Sequence, residues 1–290
     1  MIVVIVGPTG VGKSKLAVEL AKRINAEVIN GDSMQVYKDL DIATAKIKKE
    51  EMDNIPHHLL DIADKNELYT VFDYQRDCRR VIADISSRGK NIIIVGGTGL
   101  YIKAALYDYS FKKEENAYDF SNMSNEELME EILKSNSDTN VHINNRKRLE
   151  RELTKIYNNS TNTKMGNIPL YDFKVIGLTV PREELYSRIN SRVEEMVRSG
   201  LIEEAHNLYV QGINSKAINT GIGYKELYKY FDGVISLDGA IELIKKNSRH
   251  YAKRQYTFFL HQFQTKWIDV DYSNFNNTVL ESFNYITKEK

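Results

Sequence analysis

The 290-residue sequence has a single cysteine, Cys78, and no apolar run close to the roughly 20 residues that a membrane-spanning helix needs. A lone cysteine can build neither a disulfide nor a thiolate zinc site within the chain, so we expect a free thiol on a helix. No basic leader or cleavage site precedes the first apolar run. The expected protein is therefore globular and cytoplasmic, without a membrane partner.

Charge of one sign is not in excess, because 40 lysines and arginines balance 40 aspartates and glutamates. Nucleic-acid binders usually carry a basic excess, so the total argues mildly against such a partner. The basic residues are nevertheless grouped, as they are both on solvated helix faces and on nucleic-acid surfaces. The first group is Arg146, Lys147, Arg148 and Arg151, and the second is Lys245, Lys246, Arg249, Lys253 and Arg254.

A chain of 33.5 kDa with 42% hydrophobic residues is long enough for one large core with a smaller satellite domain. The runs at residues 2–6, 27–30, 91–95 and 174–180 predict strands, and helical patterns follow several of them. Strands that alternate with helices predict an α/β fold with a mostly parallel sheet that is covered on both faces.

Between residues 112 and 172 the sequence becomes polar and Asn-rich, with helical patterns at 125–134 and 145–157. This stretch is predicted to be a small helical insertion in a core domain made of residues 1–111 and 173–290. Near the end of the chain, Asp238 is the expected N-cap of a long helix that reaches the region of Phe263. Residues 266–270 are predicted as an edge strand, and the sequence is weakly patterned from Ser273 onward.

The most informative stretch follows the first predicted strand and opens a helical pattern. Two glycines bracket four residues and precede Lys-Ser, which is the phosphate-loop template. There the backbone N–H groups and the positive end of a helix dipole would surround a diphosphate or triphosphate, Lys13 would add a charge, and the Ser14 hydroxyl would hold Mg²⁺. A loop that only connects two elements would need neither the lysine nor the serine. The loop consists of Gly7, Pro8, Thr9, Gly10, Val11, Gly12, Lys13 and Ser14.

Polar residues also follow two further predicted strands, and parallel strands bring their carboxyl ends to one rim, where ligands bind. Asp32 and Ser33 follow the second strand, and Gly96, Gly97 and Thr98 follow a later one. Asp32 could form a turn or cap a helix, could bind Mg²⁺ through a ligand of the metal, or could act as a base. Thr98 fits a helix cap or a hydroxyl that reaches a phosphate or the nucleophile. Because the later strand ends in glycine instead of the acid expected of a nucleotide triphosphatase, an ATPase interpretation is weakened.

Six short motifs stand in a fixed order: GPTGVGKS at 7–14, DSMQVY at 32–37, PHHLLDI at 56–62, GGTGLY at 96–101, GY at 223–224 and AKRQ at 252–255. In this order they resemble the tRNA dimethylallyltransferases, the isopentenyltransferases that modify the adenosine next to the anticodon. The resemblance extends from residue 1 to about residue 260. The phosphate loop occurs in many families, whereas the ordered set is highly specific.

The resemblance implies a P-loop fold whose helical insertion grips the anticodon stem-loop of tRNA. It also implies a channel that admits dimethylallyl diphosphate from one side and a flipped-out adenine from the other. By position, Asp32 matches the family's general base, and Thr98 matches a residue that contacts the target nucleotide. Ser14 matches a ligand of the Mg²⁺ cofactor. The phosphate loop and Arg192 match the residues that bind the diphosphate. The implied tRNA contacts are Asp32, Ser33, Met34, Gln35, Thr98, Lys147, Arg148, Arg151, Lys253, Arg254 and Gln255.

The residues suit this chemistry for physical reasons as well. An exocyclic adenine amine is a poor nucleophile, but it becomes acidic as the new C–N bond forms, so a carboxylate such as Asp32 can take its proton. The departing diphosphate gains negative charge where Lys13, Mg²⁺ and the loop amides point. We therefore expect a monomer that transfers a dimethylallyl group to N6 of adenosine 37 in tRNAs that read codons starting with U.

Three alternatives stay open at this point. Residues 142–148 and 257–260 depart from the family's usual pattern on the RNA side, which leaves open the same transfer to free adenine nucleotides. The phosphate loop alone is compatible with a small-molecule P-loop kinase, although the acid at the strand end is missing. The two basic groups alone would fit an RNA-binding module without activity.

Overall fold

The computed structural model describes residues 1–111, 118–158 and 166–288, and six strands in these ranges form one sheet. The strands are β1 (Ile2–Val6), β2 (Ala26–Asn30), β3 (His57–His58), β4 (Asn91–Val95), β5 (Phe173–Thr179) and β6 (Thr265–Asp269). Across the sheet they lie in the order β3-β2-β4-β1-β5-β6, and every neighbouring pair is parallel. The predicted parallel α/β fold and the edge strand near residue 266 are confirmed.

Eleven α-helices and one 3₁₀ helix (Lys49–Met52) lie in the described part of the chain. The α-helices are α1 (Lys13–Ile24), α2 (Val71–Ser87), α3 (Gly99–Leu106), α4 (Asn125–Ser135), α5 (Arg146–Tyr157), α6 (Arg182–Arg198), α7 (Leu201–Val210), α8 (Lys216–Thr220), α9 (Tyr224–Phe231), α10 (Leu237–Gln262) and α11 (Phe275–Thr287). No described helix combines the length and the apolar character that crossing a bilayer requires. Cys78 lies buried in α2 as the expected free thiol.

Strand β1 occupies the middle of the sheet because it is apolar on both faces. All five of its residues are buried, and it pairs with β4 on one side and β5 on the other. On one face Val3 and Ile5 belong to a core cluster with Leu16 and Leu20 of α1. The phosphate loop therefore leaves the most deeply buried strand and enters a helix that is packed directly on it.

Residues Tyr107–Ile168 form a compact unit of their own, distinct from the unit made of Met1–Leu106 and Pro169–Lys290. The smaller unit contains α4 and α5, whose side chains Ser124 and Asn145 accept N-capping hydrogen bonds from the first helical turns. Its core contains Leu128 and Ile132 of α4 and Leu149 and Leu153 of α5, together with Phe120. The two helices predicted in the insertion thus exist and share a small hydrophobic core.

The expected N-cap of α10 was wrong by two residues. The side-chain oxygen of Ser236, not that of Asp238, accepts the N–H of Gly239, at 3.1 Å. Serine and aspartate are equally good caps, and the choice falls on Ser236 because the helix begins at Leu237. Asp238 instead adds a negative charge to the first turn, where the helix dipole favours one.

The segment after Ser273, which the sequence pattern left unassigned, contains helix α11. Its buried face is carried by Thr278, Val279, Ser282 and Ile286, two of which are hydroxyl residues. Because the Ser282 hydroxyl donates to the carbonyl of Thr278 at 2.7 Å inside the helix, a polar side chain can face the core. Mixed polarity on the buried face is the reason that hydrophobic periodicity alone did not reveal this helix.

Glu27 in β2 is a buried carboxylate, 2% exposed, surrounded by cations. Its Oε2 accepts hydrogen bonds from Arg88 Nη2 at 2.8 Å and from His58 Nε2 at 2.7 Å, and Lys90 Nζ lies 3.2 Å from Oε1. The Arg88 guanidinium is the main reason that the pKa of Glu27 lies well below its usual range in spite of burial. This cluster fastens β2 to the turn that follows α2.

Replacing Glu27 with glutamine is expected to lower the free energy of unfolding by about 1–3 kcal/mol at neutral pH, because buried hydrogen bonds are lost while Arg88 remains partly solvated. Ionised Glu27 stabilises the fold above its unfolded-state pKa of about 4.3, and this contribution is lost as the pH falls toward the lower native pKa. Urea unfolding should therefore show a smaller difference between variant and wild type at about pH 3 than at neutral pH. An equal difference at both pH values would contradict the assignment.

Candidate active site

The carboxyl ends of β2, β4 and β1, which are neighbours in the sheet, open into a cavity of about 900 Å³. The loops after these three strands therefore meet on one rim, as the motif positions predicted. Glycines 96 and 97 of the β4 loop also line the cavity. The lining residues that the sequence singled out are Thr9, Gly10, Gly12, Lys13, Ser14, Asp32, Ser33, Met34, Gln35, Arg192, Arg254 and Gln255.

The phosphate loop turns from β1 into α1 through backbone conformations that favour glycine. Gly7, Gly10 and Gly12 have φ values of 139°, 82° and 97°. A Cβ on Gly7 would lie 2.6 Å from the carbonyl oxygen of Leu178 in β5, so the loop starts in direct backbone contact with the neighbouring strand. The N-terminus of α1 is consequently held at the cavity, which Gly12, Lys13 and Ser14 line.

Lys13, the first residue of α1, bends back over the loop. Its Nζ donates to the carbonyl oxygens of Gly7 at 3.0 Å and Pro8 at 2.8 Å. Burial lowers the pKa of Lys13 to about 7, the Arg192 charge also lowers it, and the Asp32 carboxylate acts in the opposite direction. An anion bound beside Lys13 would favour the protonated ammonium, so the site is suited to a highly charged anionic ligand.

Asp32 combines a structural hydrogen bond with a place in the cavity. Its N–H donates to Asn30 Oδ1 at 3.0 Å, and its Oδ1 accepts the N–H of Met34 at 3.0 Å, which closes a turn of the kind that an aspartate favours. Burial raises the pKa of Asp32, and the Met34 N–H and the charges of Lys13 and Arg192 oppose this rise. A carboxylate in this environment is a suitable proton acceptor.

The loops after β2 and β4 are joined tightly to each other. Thr98 Oγ1 donates to Ser33 Oγ at 3.1 Å and accepts the N–H of Ser33 at 2.9 Å. The N–H of Thr98 donates to the carbonyl of Gly31 at 3.1 Å, and a Cβ on Gly96 would lie only 2.2 Å from the carbonyl carbon of Gly31. Thr98 is not among the cavity-lining residues of the described chain, and it holds Ser33, which is.

The comparison with known proteins now fits this geometry. Residues 35–262 match the family model described as IPP transferase. The chain belongs to this family. A tRNA dimethylallyltransferase of Anoxybacillus flavithermus is 47% identical over 98% of this chain and 96% of its own length, and one of Bacillus subtilis is 44% identical over 93% and 90%.

Two solved structures resemble this chain along nearly its whole length. A full-length tRNA isopentenylpyrophosphate transferase from Bacillus halodurans superimposes with a TM-score of 0.78 at 41% identity, covering 98% of this chain and 95% of the other. A eukaryotic dimethylallyltransferase, captured acting on tRNA, gives a TM-score of 0.81 at 28% identity and covers 100% of this chain and 80% of the other. These neighbours confirm the fold class.

The Gly223-Tyr224 motif helps to hold another wall of the cavity in place. The Tyr224 hydroxyl donates to Glu204 Oε1 at 2.7 Å, and the same carboxylate accepts three successive backbone N–H groups of residues 41–43 at 2.8–3.2 Å. Gly223 has a φ of 105°, and a Cβ there would lie 2.9 Å from the Cβ of Ala43. Glu204 escaped the sequence analysis because its backbone partners, residues 41–43, are more than 160 positions away in the chain.

Tyr251 is a cavity residue that the sequence analysis also missed. It lies one helical turn before Gln255 on α10, and its side chain interacts with those of Thr98 and Gln255. Burial and the Asp32 charge raise the pKa of Tyr251. Its position four residues before Gln255 of the AKRQ motif could have identified it as a cavity residue, because residues four apart share a helix face.

The part of the cavity next to Arg192 is apolar. Met34, Val193, Met196, Ile222 and Ile244 line it, and all five belong to or pack against one hydrophobic cluster. A ligand whose charged group reached Lys13 would find space here for a short hydrocarbon chain. Charged and apolar surfaces therefore meet inside one cavity.

The remaining predicted RNA contacts are exposed basic side chains. Part of the second basic group is neutralised by neighbours, because Lys245 Nζ lies 3.0 Å from Glu194 Oε1 and 2.9 Å from Glu242 Oε1. The Lys245 side chain is only 13% exposed and forms these ion pairs within the larger unit. The exposed members are Lys253 and Arg254 on α10 in the larger unit, and Lys147, Arg148 and Arg151 on α5 in the smaller one.

Replacing Gly96 with alanine is expected to push the loops after β2 and β4 apart, because the new Cβ would overlap the backbone of Gly31. Overpacking of this kind costs about 1–3 kcal/mol. We expect a lower melting temperature and weaker binding of inorganic diphosphate, measured by calorimetry. As a control, Gly239→Ala in the first turn of α10 should leave diphosphate binding unchanged, because Gly239 does not line the cavity and a Cβ there would meet only the Ser236 hydroxyl, at 3.2 Å, and Ile235. A Gly96→Ala protein with wild-type melting and binding would contradict the packing described.

Proposed function

We propose that this chain transfers the dimethylallyl group of dimethylallyl diphosphate to the N6 amine of adenosine 37 in tRNA and releases diphosphate. The observation that carries the proposal is the meeting of Asp32 with Lys13 and Arg192 in one cavity, where Asp32 influences the pKa of both cations and both influence that of Asp32. Similarity to enzymes named tRNA dimethylallyltransferase supports this reaction. The acceptors would be tRNAs that read codons starting with U.

The proposed reaction forms one bond and breaks another at the same carbon. The N6 amine attacks C1 of the dimethylallyl group, and the bond between C1 and the diphosphate oxygen breaks. Asp32 takes the proton that N6 loses, which is typically worth about 10²- to 10⁴-fold in rate. The negative charge on the leaving oxygens develops beside Lys13, Arg192 and the amides at the start of α1, which are already oriented toward it.

A magnesium ion fits this site only in company with the diphosphate. Among the described residues no group of three or more His, Cys, Asp and Glu side chains is arranged to hold a metal. The Ser14 hydroxyl faces the cavity and would supply one oxygen ligand, with diphosphate oxygens and water completing the octahedral shell that Mg²⁺ prefers. When bound, the ion would neutralise charge on the leaving group.

The acceptor adenine would approach from the side of the β2 loop. A base inside an RNA loop must be extruded before its amine can reach a carboxylate, as in other base-modifying enzymes. Residues 32–35 line the cavity, and the hydroxyls of Ser33, Thr98 and Tyr251 gather beside Asp32. We assign the target-nucleotide contacts to this group and the alkyl chain to the apolar wall that contains Met34.

The insertion favours an RNA acceptor over a free adenine nucleotide. A mononucleotide offers nothing for a separate unit to bind, whereas α5 carries Lys147, Arg148 and Arg151 exposed to solvent in a unit with its own core. These residues would bind phosphates of an anticodon stem-loop. In the larger unit, Lys253 and Arg254 are exposed cations that would bind RNA phosphates as well. We propose that the protein acts on it as a monomer.

A P-loop kinase is the weaker candidate, because glycine follows β4 where such an enzyme has the acid that holds its metal. In such enzymes a carboxylate near the end of a neighbouring strand participates in Mg²⁺ binding. Here β4 ends at Val95 and continues as Gly96 and Gly97, and Gly96 abuts Gly31 so closely that no side chain fits. Backbone packing thus takes the space of the metal ligand.

Replacing Asp32 with asparagine is expected to reduce transfer to an anticodon stem-loop by about 10²- to 10⁴-fold, because the proton acceptor is lost while the side chain keeps its shape. Diphosphate affinity should be kept or increased, since a negative charge beside Lys13 and Arg192 disappears. Single-turnover labelling measures the first quantity and calorimetry with inorganic diphosphate the second. The exposed carboxylate Asp238 gives the control Asp238→Asn, which should behave as wild type. Turnover retained by Asp32→Asn would remove Asp32 from the role of base.

Replacing Lys147, Arg148 and Arg151 together with glutamine is expected to weaken RNA binding and reduce its salt dependence. For single-stranded RNA each lost phosphate contact lowers the slope of log K against log salt by about 0.7. Titration of a fluorescent anticodon stem-loop at several salt concentrations gives this slope. In the same unit, Lys134 pairs with Glu131, so Lys134→Gln should leave the slope unchanged. A triple variant with the wild-type slope would rule out α5 as an RNA-binding surface.

A further inference from the structure

Gln255 is a polar side chain in the middle of α10 that is only 4% exposed. Both ends of its amide are engaged, and with different loops. Its Oε1 accepts the N–H of Thr9 in the phosphate loop at 3.0 Å, and its Nε2 donates to the carbonyl of Gly97 in the β4 loop at 3.1 Å. One side chain therefore joins the two loops that flank the cavity.

The β4 loop is shaped around this amide. A Cβ on Gly97 would lie 1.9 Å from Gln255 Nε2, so the amide occupies the space that a side chain at position 97 would need. The same Cβ position is 3.6 Å from Asp32 Oδ2, which sets the amide and the carboxylate on the same side of the loop. The second glycine of the GGTG motif is thus explained by contact with Gln255.

From the β4 loop the connection continues to Asp32. The N–H of Thr98 donates to the carbonyl of Gly31, and the Thr98 hydroxyl is hydrogen-bonded to Ser33 on the other side of Asp32. Hydrogen bonds, together with the peptide bond between Gly97 and Thr98, therefore link the phosphate loop through Gln255 to the backbone on both sides of Asp32. The two parts of the cavity that the reaction needs are linked by a buried amide.

We propose that Gln255 is a positioning residue, which sets the spacing between the diphosphate cradle and the carboxylate of Asp32, and that it does not contact RNA. The identity of the two substrates rests on the proposed function. A glutamine suits the task because it accepts at one end and donates at the other. Leucine, of similar size, does neither, and glutamate can accept from Thr9 but cannot donate to Gly97.

The first test measures binding in the absence of turnover. In the full-length protein, Gln255→Leu should raise the Kd for inorganic diphosphate with Mg²⁺ by about 5- to 50-fold without RNA present, because Thr9 N–H loses its acceptor and Gly97 its donor. The Kd for an anticodon stem-loop should stay within about twofold of wild type. Gln262→Leu, two turns later on the same helix and exposed, is the control and should change neither value.

The opposite pattern would overturn the proposal. If Gln255→Leu weakens stem-loop binding and leaves diphosphate affinity unchanged, Gln255 is an RNA ligand. If neither affinity changes, the hydrogen bonds of Gln255 contribute nothing to the free energy of diphosphate binding, and the proposal also fails. These measurements do not need catalysis, so they stay interpretable even if the wild-type protein transfers no prenyl group and the proposed function itself is wrong.

A second variant covers the case in which Gln255→Leu does not fold. Gln255→Glu preserves the acceptor for Thr9 and adds a carboxylate beside Asp32. In the wild-type protein, the titratable groups that interact with Asp32 are Lys13 of α1, Arg192 of α6 and the hydroxyls of Tyr101 and Tyr251. A like charge at this distance raises the pKa of Asp32. The acid limb of the kcat/KM profile should therefore move upward by about one pH unit, and an unchanged limb would contradict the placement of Gln255.

Discussion

The architecture of the cavity depends on the close approach of the loops after β2 and β4. The N–H of Gly31 donates to the carbonyl of Val95 at 2.8 Å, and no Cβ fits on Gly96 because the backbone of Gly31 lies 2.2 Å from its position. This backbone contact holds Asp32, which directly follows Gly31, against the sheet from which the phosphate loop also emerges. At position 96 a rim built in this way has no space for the acidic residue that other phosphate-loop enzymes place there. The same packing that positions Asp32, the proposed base, therefore excludes a carboxylate from the end of β4.

Much of the fold was predictable because the signals for it are local. The strand of residues 2–6 is apolar at every position, and the glycines of the phosphate loop indicate its turn. Helices α4 and α5 begin and end within one residue of their predicted helical patterns. The rim also followed from topology, since the carboxyl ends of parallel strands lie on one edge. The unpredicted features lack such a local signal. Glu204 accepts from residues 41–43, which are far away in the chain, and α11 was hidden by a buried face that includes Thr278 and Ser282.

Helix α10 contacts several elements that are distant from it in the sequence. Over 26 residues it carries Asn247, which donates to the buried Glu226 at 2.6 Å, Arg249, which donates to Asn190 of α6, and the cavity residues Tyr251 and Gln255. A helix advances about 1.5 Å per residue, so these side chains reach different elements while keeping a fixed spacing along one rigid element. The AKRQ motif therefore combines two kinds of residue: exposed Lys253 and Arg254, which suit a phosphate-bearing partner, and buried Gln255, which belongs to the interior.

The electrostatics of the cavity suggest why a diphosphate and a carboxylate can share it. Without an anion, burial lowers the pKa of both Lys13 and Arg192, and the Arg192 charge lowers that of Lys13 further. Asp32 compensates both cations only in part, and Glu51 adds to this compensation at Arg192. A bound diphosphate would supply the missing negative charge and would repel the Asp32 carboxylate, whose pKa burial already raises. A higher pKa makes Asp32 a stronger proton acceptor. In the proposed reaction, the donor substrate would therefore prepare the base that its own transfer requires, and the later loss of diphosphate would return Asp32 to a weaker basicity and favour release of the proton to solvent.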